Sequence, residues 1–192
     1  MGRWMPDAGE RLERAAFELF AEQGFAETTV PQIAERAGLT TRSFFRYFSD
    51  KREVLFGFDE HLPEVIAGIM AEADAALSPM DVIRQSLDTV ATTQLAGQLD
   101  YLLAHRQIVD SDDGLRERSL RKQAIMTEAI EQGFRQRGLP DLTATLSAHL
   151  AVAVFSVSVD RWLDLRGERS LTDLMHEALD SVRAVASGSL RQ

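Results

Sequence analysis

The stretch of residues 28–55, TTVPQIAERAGLTTRSFFRYFSDKREVL, limits what this chain can fold into more than any other part of it. Apolar residues recur at helical spacing after Thr29, which is a favourable N-cap. Gly38 then supplies a residue that adopts a positive φ at low steric cost, as a sharp turn between helices requires. A second short helix follows and buries Phe44 and Phe48, four residues apart. The stretch therefore predicts two short helices joined by a tight turn.

The outward face of the second helix carries residue types that suit a DNA major groove. Arginine can hydrogen-bond guanine edges, hydroxyls can bond bases or phosphates, and aromatic rings give apolar contact. A lysine in the first turn of the next helix is placed to meet a phosphate. The candidate DNA-binding residues are Thr29, Thr40, Thr41, Arg42, Ser43, Phe45, Arg46, Tyr47 and Lys51.

From Thr29 to Phe56 the sequence resembles the TetR family of transcriptional regulators, and the run TTRSFFRYFSDKREVLF is the specific part of the match. The resemblance covers roughly the first 56 residues. It implies a DNA-binding domain at residues 1–50 and a helical domain for effector binding and dimerisation at residues 51–192. Family members often carry Tyr at the position of Phe45. Phe45 has no hydroxyl for a phosphate, so its contact with DNA is expected to be apolar or stacking.

The charge distribution is compatible with DNA binding, although the net charge is −9. Residues 1–56 hold 8 basic and 9 acidic side chains, so most of the negative charge belongs to the rest of the chain. Residues 39–52 hold four basic residues and one acidic residue, a local charge of +3. A compact basic patch on an acidic protein can bind phosphates locally while the remainder disfavours non-specific coating of DNA. A merely solvated helix face is the alternative interpretation of these charges.

Helical periodicity continues to the end of the chain and predicts an all-α protein of about nine helices. Pro63 interrupts the fourth of these helices and predicts a kink or break near His61. Besides the two helices of residues 28–48, the predicted helices span about residues 7–23, 49–76, 79–96, 99–109, 115–137, 142–166 and 170–186.

The last two helices are more apolar than one packed face requires, which predicts a protein partner. The resemblance implies a homodimer formed by these two helices as a four-helix bundle, and a symmetric dimer fits an inverted-repeat DNA site. Packing of the same residues within one subunit stays open as an alternative. The resemblance also implies a pocket for a small-molecule effector of unknown identity inside helices four to eight. The polar candidates for its lining are Thr92, Gln94, Tyr101, His105, Ser156 and Asp160.

The sequence indicates no enzyme. Its four histidines are scattered, it has no cysteine, and phosphate-binding and nucleophile motifs are absent, so we expect no catalytic residue, no metal and no cofactor. No signal peptide is visible, and the longest apolar run, residues 150–155, is too short for a membrane span, so we expect a cytoplasmic protein without a membrane partner.

The preferred interpretation is a sequence-specific DNA-binding regulator, a repressor released from its operator by a small effector. The main alternative is an effector-independent dimeric helix-turn-helix regulator controlled by abundance or by a protein partner. An all-α enzyme or binding protein that keeps the DNA-binding helices without using them is a third possibility.

Overall fold

The computed structural model describes residues 8–56 and 62–188; of Leu62 it describes the backbone alone. These residues contain nine α-helices and no strand, which confirms the predicted all-α fold. The helices are α1 (Ala8–Gln23), α2 (Val30–Arg36), α3 (Thr41–Tyr47), α4 (Leu62–Glu72), α5 (Pro79–Thr89), α6 (Leu99–Asp110), α7 (Asp113–Gln136), α8 (Asp141–Asp164) and α9 (Leu171–Ser187).

Side-chain caps fix the starts of several helices. The hydroxyl of Ser78 accepts the backbone N–H of Asp81 at the start of α5, where Pro79 occupies the first helical position. Ser170 accepts the N–H of Asp173 in the same way at the start of α9. Because the first N–H groups of a helix have no partner inside it, these caps place each helix start.

The predicted fourth helix, at about residues 49–76, begins differently in the structure. The carboxylate of Asp50 accepts hydrogen bonds from the backbone N–H groups of Arg52 at 2.7 Å and of Glu53 at 3.0 Å. These are the hydrogen bonds of an N-cap, so Asp50 caps the turn that follows. The segment Glu53–Leu55 forms a 3₁₀ turn where the sequence predicted an α-helix.

The kink predicted near His61 lies outside the described residues. Pro63 is the second residue of α4 within the described range Leu62–Glu72. The other end of α4 comes earlier than the predicted residue 76, because the Asp74 carboxylate accepts the N–H of Ala76 at 2.9 Å and turns the chain.

The predicted fifth helix also changes character before its end. After α5 the segment Val90–Gln94 forms a π-helical turn. The hydroxyls of Thr89, Thr92 and Thr93 all donate to backbone carbonyls four residues earlier, at 3.0, 2.7 and 2.7 Å. Such back-bonding bends helices, and π turns occur where the regular ladder is disturbed.

The chain divides into two compact units. The first comprises the described residues 8–56 together with 104–120, and the second comprises 62–103 and 121–188. The sequence prediction placed residues 104–120 with the C-terminal domain, so the compact units differ from a single cut at residue 50. The ends of α6 and α7 that adjoin each other therefore belong to the first unit.

The core of the first unit combines α1–α3 with the turn between α6 and α7. Leu12, Ile33 and Phe44 are fully buried in one apolar cluster, and Leu115 at the start of α7 is fully buried in the same cluster. The Arg118 guanidinium forms ion pairs with the carboxylates of Glu53 and, at 3.8 Å, of Asp50. Residues far apart in sequence thus share one core.

The second unit is a helical layer built around α8 and α9. Its core includes Val82 from α5, Phe134 from α7, and Met175 and Leu179 from α9. The Arg137 guanidinium donates to the carbonyls of Met70, Ala73 and Asp74 at 3.3, 2.8 and 2.6 Å, and so satisfies the C-terminal end of α4.

Helix α8 exposes an apolar stripe as well as a buried face. Its outward residues recur every three or four positions, and Leu142, Leu146 and Val157 are each more than 60% exposed. By length and composition alone α8 is apolar enough to cross a membrane, but core helices of soluble proteins pass the same test. The apolar residues of α8 therefore form two surfaces: one packs in the core, and the other is an exposed stripe.

Burial of Glu13 on α1 makes the first unit pH-sensitive. Loss of hydration, together with the nearby Glu10 carboxylate, raises the pKa of Glu13 to about 7 from 4.5. Because the folded unit holds this proton more tightly than the unfolded chain does, the charged side chain costs stability as the pH rises from about 4.5 to 7.

We expect Glu13→Gln to raise the melting temperature above pH 7 and to leave it unchanged near pH 4.5. The gain at pH 8 should be about 1 kcal/mol, because the side chain is only partly buried and water screens the effect. Thermal unfolding from pH 4.5 to 8 measures it. Glu22→Gln is the control, because the Arg36 hydrogen bond lowers the pKa of Glu22 and its replacement should give no gain at pH 8. A constant difference across this range for Glu13→Gln would contradict the prediction.

Candidate nucleic-acid interface

The turn between α2 and α3 is held by backbone geometry and by one arginine. Gly38 has φ +65°, its N–H donates to the Glu35 carbonyl at 2.9 Å, and the N–H of Leu39 donates to the Ala34 carbonyl at 2.8 Å. This is the Schellman arrangement that ends a helix in a sharp turn. The Arg11 guanidinium, from α1, donates to the carbonyl of Ala37 beside the turn. The angle between the two short helices is thereby anchored to α1.

Helix α3 is fixed from below by two phenylalanines. Phe44 is fully buried and Phe48 is 7% exposed, which confirms their predicted place in the core. Their rings lie 5.5 Å apart. Phe44 lies on one edge of α3 and Phe48 follows the helix as its C-cap. With Phe44 in the core, the opposite edge of α3 faces outward. The side chains on that outward edge are Thr41, Arg42, Phe45 and Arg46, all exposed, with Ser43 and Tyr47 partly exposed.

The outward edge of α3 forms a shallow depression with a mixed basic, polar and aromatic lining. Its lining residues are Thr40, Arg42, Ser43, Phe45 and Arg46. The Arg46 guanidinium lies 4.8 Å from the centre of the Tyr47 ring and donates to its hydroxyl at 2.9 Å. The pair therefore forms one stacked group beside the depression.

Several predicted contact residues already have structural partners. Thr29 and Gln32 form a capping box at the start of α2, in which the Thr29 hydroxyl lies 2.9 Å from the Gln32 amide oxygen. The Thr40 hydroxyl accepts the N–H of Ser43 at 3.1 Å and lies 3.0 Å from the Ser43 hydroxyl. Thr29 and Thr40 thus cap helices, and the remaining DNA candidates on α3 carry the exposed surface.

Lys51 differs most from its predicted role. Its ammonium donates to the carbonyls of Phe25 at 2.5 Å, Thr28 at 2.7 Å and Ala26 at 3.4 Å, and lies 4.1 Å from the centre of the Phe25 ring. Burial lowers the pKa of Lys51, and the Asp112 carboxylate partly offsets this. With all three donors directed at the α1–α2 loop, Lys51 holds that loop in place, whereas the sequence predicted a phosphate contact.

We expect Lys51→Met to lower the free energy of unfolding by about 2 kcal/mol, because it removes charge-assisted hydrogen bonds and leaves loop carbonyls without their donor. Thermal unfolding measures the loss. Arg52→Met, which removes an exposed neighbouring charge, is the control and should change stability little. If Lys51→Met kept full stability and instead reduced the salt dependence of DNA binding by about one unit of slope, a phosphate role would be supported over the structural one.

The six predicted effector residues lie on different elements. Thr92 and Gln94 are exposed on the π turn after α5, Tyr101 is 37% exposed on α6, and Ser156 and Asp160 lie on α8. His105 belongs to the first unit, where Nε2 lies 3.2 Å from the Leu55 carbonyl and the ring contacts Phe56 edge to face. A second depression lies along α8 and α9 and contains none of these six residues. An effector site lined by these six residues stays a prediction.

Sequence reasoning missed four contributors to the first unit. They are Arg11, which no sequence pattern marks, and His105, Leu115 and Arg118, which lie in the predicted C-terminal domain. The hydrogen bonds and ion pairs of Arg11, His105 and Arg118 join residues 26 to 68 positions apart, so no local spacing revealed them.

Comparison with known proteins points to the same part of the chain. Residues 13–57 match the family described as "Bacterial regulatory proteins, tetR family". The HTH-type transcriptional regulator TcmR of Streptomyces glaucescens is 29% identical over 185 residues, which cover 91% of this chain and 82% of TcmR. The protein MftR of Mycobacterium tuberculosis is 27% identical, over 96% of this chain and 93% of its own.

A solved structure extends the similarity to the whole fold. FadR of Thermus thermophilus, a TetR-family transcriptional repressor in complex with lauroyl-CoA, is 25% identical to this chain with a TM-score of 0.58. The alignment covers 96% of each chain. The matching family, the relatives and the helix-turn-helix geometry agree: residues 13–57 carry the DNA-binding domain of the TetR family, and over its length the chain is similar to transcriptional regulators.

Proposed function

We propose that the chain is a cytoplasmic homodimeric repressor that binds an inverted-repeat operator and is released by a small-molecule effector. The observation that carries the proposal is the outward edge of α3, where Arg42, Phe45 and Arg46 are exposed over a fully buried Phe44. A helix that reads sequence in a major groove needs a fixed position and side chains, such as arginine and aromatic groups, that reach the base edges.

Dimerisation is supported by the uncovered surface of the second unit. The stripe on α8 lies beside a groove lined by apolar residues of α8 and α9, including Val157 and Val182. Arg161 and Glu177 lie at the same groove with a 4.0 Å ion pair, and Arg169 lowers the pKa of Glu177. An apolar centre with a charged rim is typical of a protein interface. A second copy of the same surface would cover it with two-fold symmetry.

Release by an effector is supported by FadR, whose bound ligand is lauroyl-CoA. In this chain α4 packs on α5, and its C-terminal carbonyls are held by Arg137 of α7. A ligand that repacked the second unit would therefore act on the helix that follows the DNA-binding residues in sequence. Since a ligand can shift an equilibrium only by binding one state better, the effector must prefer the state that does not bind DNA.

Selection of bound DNA from a random pool by the purified chain tests the DNA function. The expected result is an inverted repeat with half-site centres about 34–36 Å apart, one turn of B-DNA. Failure to enrich any sequence at low salt would contradict the proposal. Placing the selected site across a promoter in transcription with purified polymerase then tests repression, which predicts fewer transcripts as the regulator is added.

Effector release is tested on the preformed complex with the selected site. Lauroyl-CoA is the first probe, and the low-molecular-mass fraction of a bacterial extract is the second. Release by either supports the proposal, with coenzyme A alone as the control for the first. A complex that neither probe dissociates would favour the effector-independent alternative.

A further inference from the structure

We propose that Phe45 reads the 5-methyl group of a thymine in each operator half-site, next to a base pair read by a neighbouring arginine. The inference rests on the proposed DNA-binding function and adds the base that one residue selects. Its starting point is the contrast among three phenylalanines on or beside one short helix. Phe44 and Phe48 are in the core, whereas Phe45 is 56% exposed.

The ring of Phe45 is held in place although it faces outward. It packs edge to face on Phe44, with ring centroids 5.4 Å apart and an interplanar angle of 83°. Because Phe44 is fully buried, this contact ties the exposed ring to the core of the unit. A ring that is already oriented loses little conformational freedom when it binds, so its contact can discriminate between closely related surfaces.

The surroundings of Phe45 restrict what it can contact. It lines the depression on α3 together with Arg42 and Arg46, and the nearby hydroxyls of Thr40 and Ser43 are engaged with each other. Phenylalanine has no donor or acceptor for a phosphate or for a base edge. In the major groove the thymine 5-methyl group is the apolar feature among the four bases. Thymine is therefore the base that this ring can distinguish.

The arginines on either side define the context of that thymine. Arg42 lies three positions before Phe45, and Arg46 follows it with its guanidinium oriented by Tyr47. Arginine pairs best with the two acceptors of guanine. Each half-site should thus place a guanine within one or two base pairs of the selected thymine.

The test replaces thymines of the selected operator with deoxyuridine, which removes one methyl group and keeps base pairing. At one position per half-site, the wild-type chain should lose about fourfold in affinity, or about fifteenfold when both half-sites are changed. Phe45→Ala should bind more weakly and be insensitive to the same substitution. Arg42→Ala is the matched control: it should also bind more weakly but keep its sensitivity to uracil. Phe45→Leu, which keeps apolar surface, should retain part of the sensitivity to uracil.

The outcomes separate this inference from the function on which it rests. A chain that enriches an operator but binds its uracil form equally well would overturn the thymine contact alone. The contact is also overturned if Phe45→Ala loses as much affinity as the wild type on uracil substitution. A chain that enriches no sequence removes the DNA-binding function and this inference together.

Discussion

Replacing Val157 with Asp is expected to turn the proposed dimer into monomers and to abolish operator binding at concentrations where the wild type is saturated. Val157 is 61% exposed in the single chain, so a carboxylate there is solvated in the monomer. In a two-fold dimer the same carboxylate would lose water on both subunits. At about 2 kcal/mol or more for each buried charge, the dissociation constant should rise about a thousandfold.

Sedimentation at micromolar concentration measures the assembly of the Val157→Asp variant, and thermal unfolding checks that the monomer is folded. Gln85→Asp, which places an equal charge on the exposed side of α5, is the control and should remain dimeric. Val157→Ala should also remain dimeric because it adds no charge. A dimeric Val157→Asp protein would show that the stripe on α8 is not the interface, and a monomeric wild type would remove the dimer from the proposal.

Phe44→Ala is expected to destabilise the DNA-binding unit by about 3–5 kcal/mol, the second large effect. The side chain is fully buried and contacts the rings of both Phe45 and Phe48, so its removal leaves a cavity at the point where α3 is anchored. Such a loss is comparable with the whole stability of a small domain.

Phe45→Ala is a closely matched control for Phe44→Ala. It removes the same side chain from the next position of the same helix, but from an exposed site. Chemical denaturation should give a large loss for Phe44→Ala and a loss under about 1 kcal/mol for Phe45→Ala. Equal losses would mean that α3 is not anchored through Phe44. In operator binding both variants should be weaker, the first because the helix is unfolded and the second because a contact is missing.

The sequence by itself predicted the helix-turn-helix because its determinants are local. The caps at Thr29 and Thr40, the positive φ of Gly38 and the Phe44–Phe48 pair all act within five residues. Interactions of this range leave a periodic pattern that can be read directly. The boundaries of α6, α8 and α9 agree with their predictions to within two residues for the same reason.

The apolar periodicity predicted unbroken helices at two places where the backbone has another geometry. A 3₁₀ turn capped by Asp50 stands at the expected start of a long helix, and the threonines after α5 accompany a π turn. Apolar spacing continues across both places, so the pattern alone favoured unbroken helices. After α5 the threonine hydroxyls bind carbonyls that also belong to the helical ladder, and such back-bonding disturbs a regular α-helix.

Only the tertiary structure decided which groups support the DNA-binding surface. Lys51 binds carbonyls 23 to 26 residues earlier, Arg11 binds a carbonyl 26 residues later, and the start of α7 buries Leu115 in the same core. A side chain's exposure and its hydrogen-bond partners depend on which segments fold against it. Local sequence spacing does not show which segments more than 20 residues apart will pack together. The residue types on α3 could therefore be assigned from the sequence, whereas the division between residues that face outward and residues that hold the helix required the folded chain.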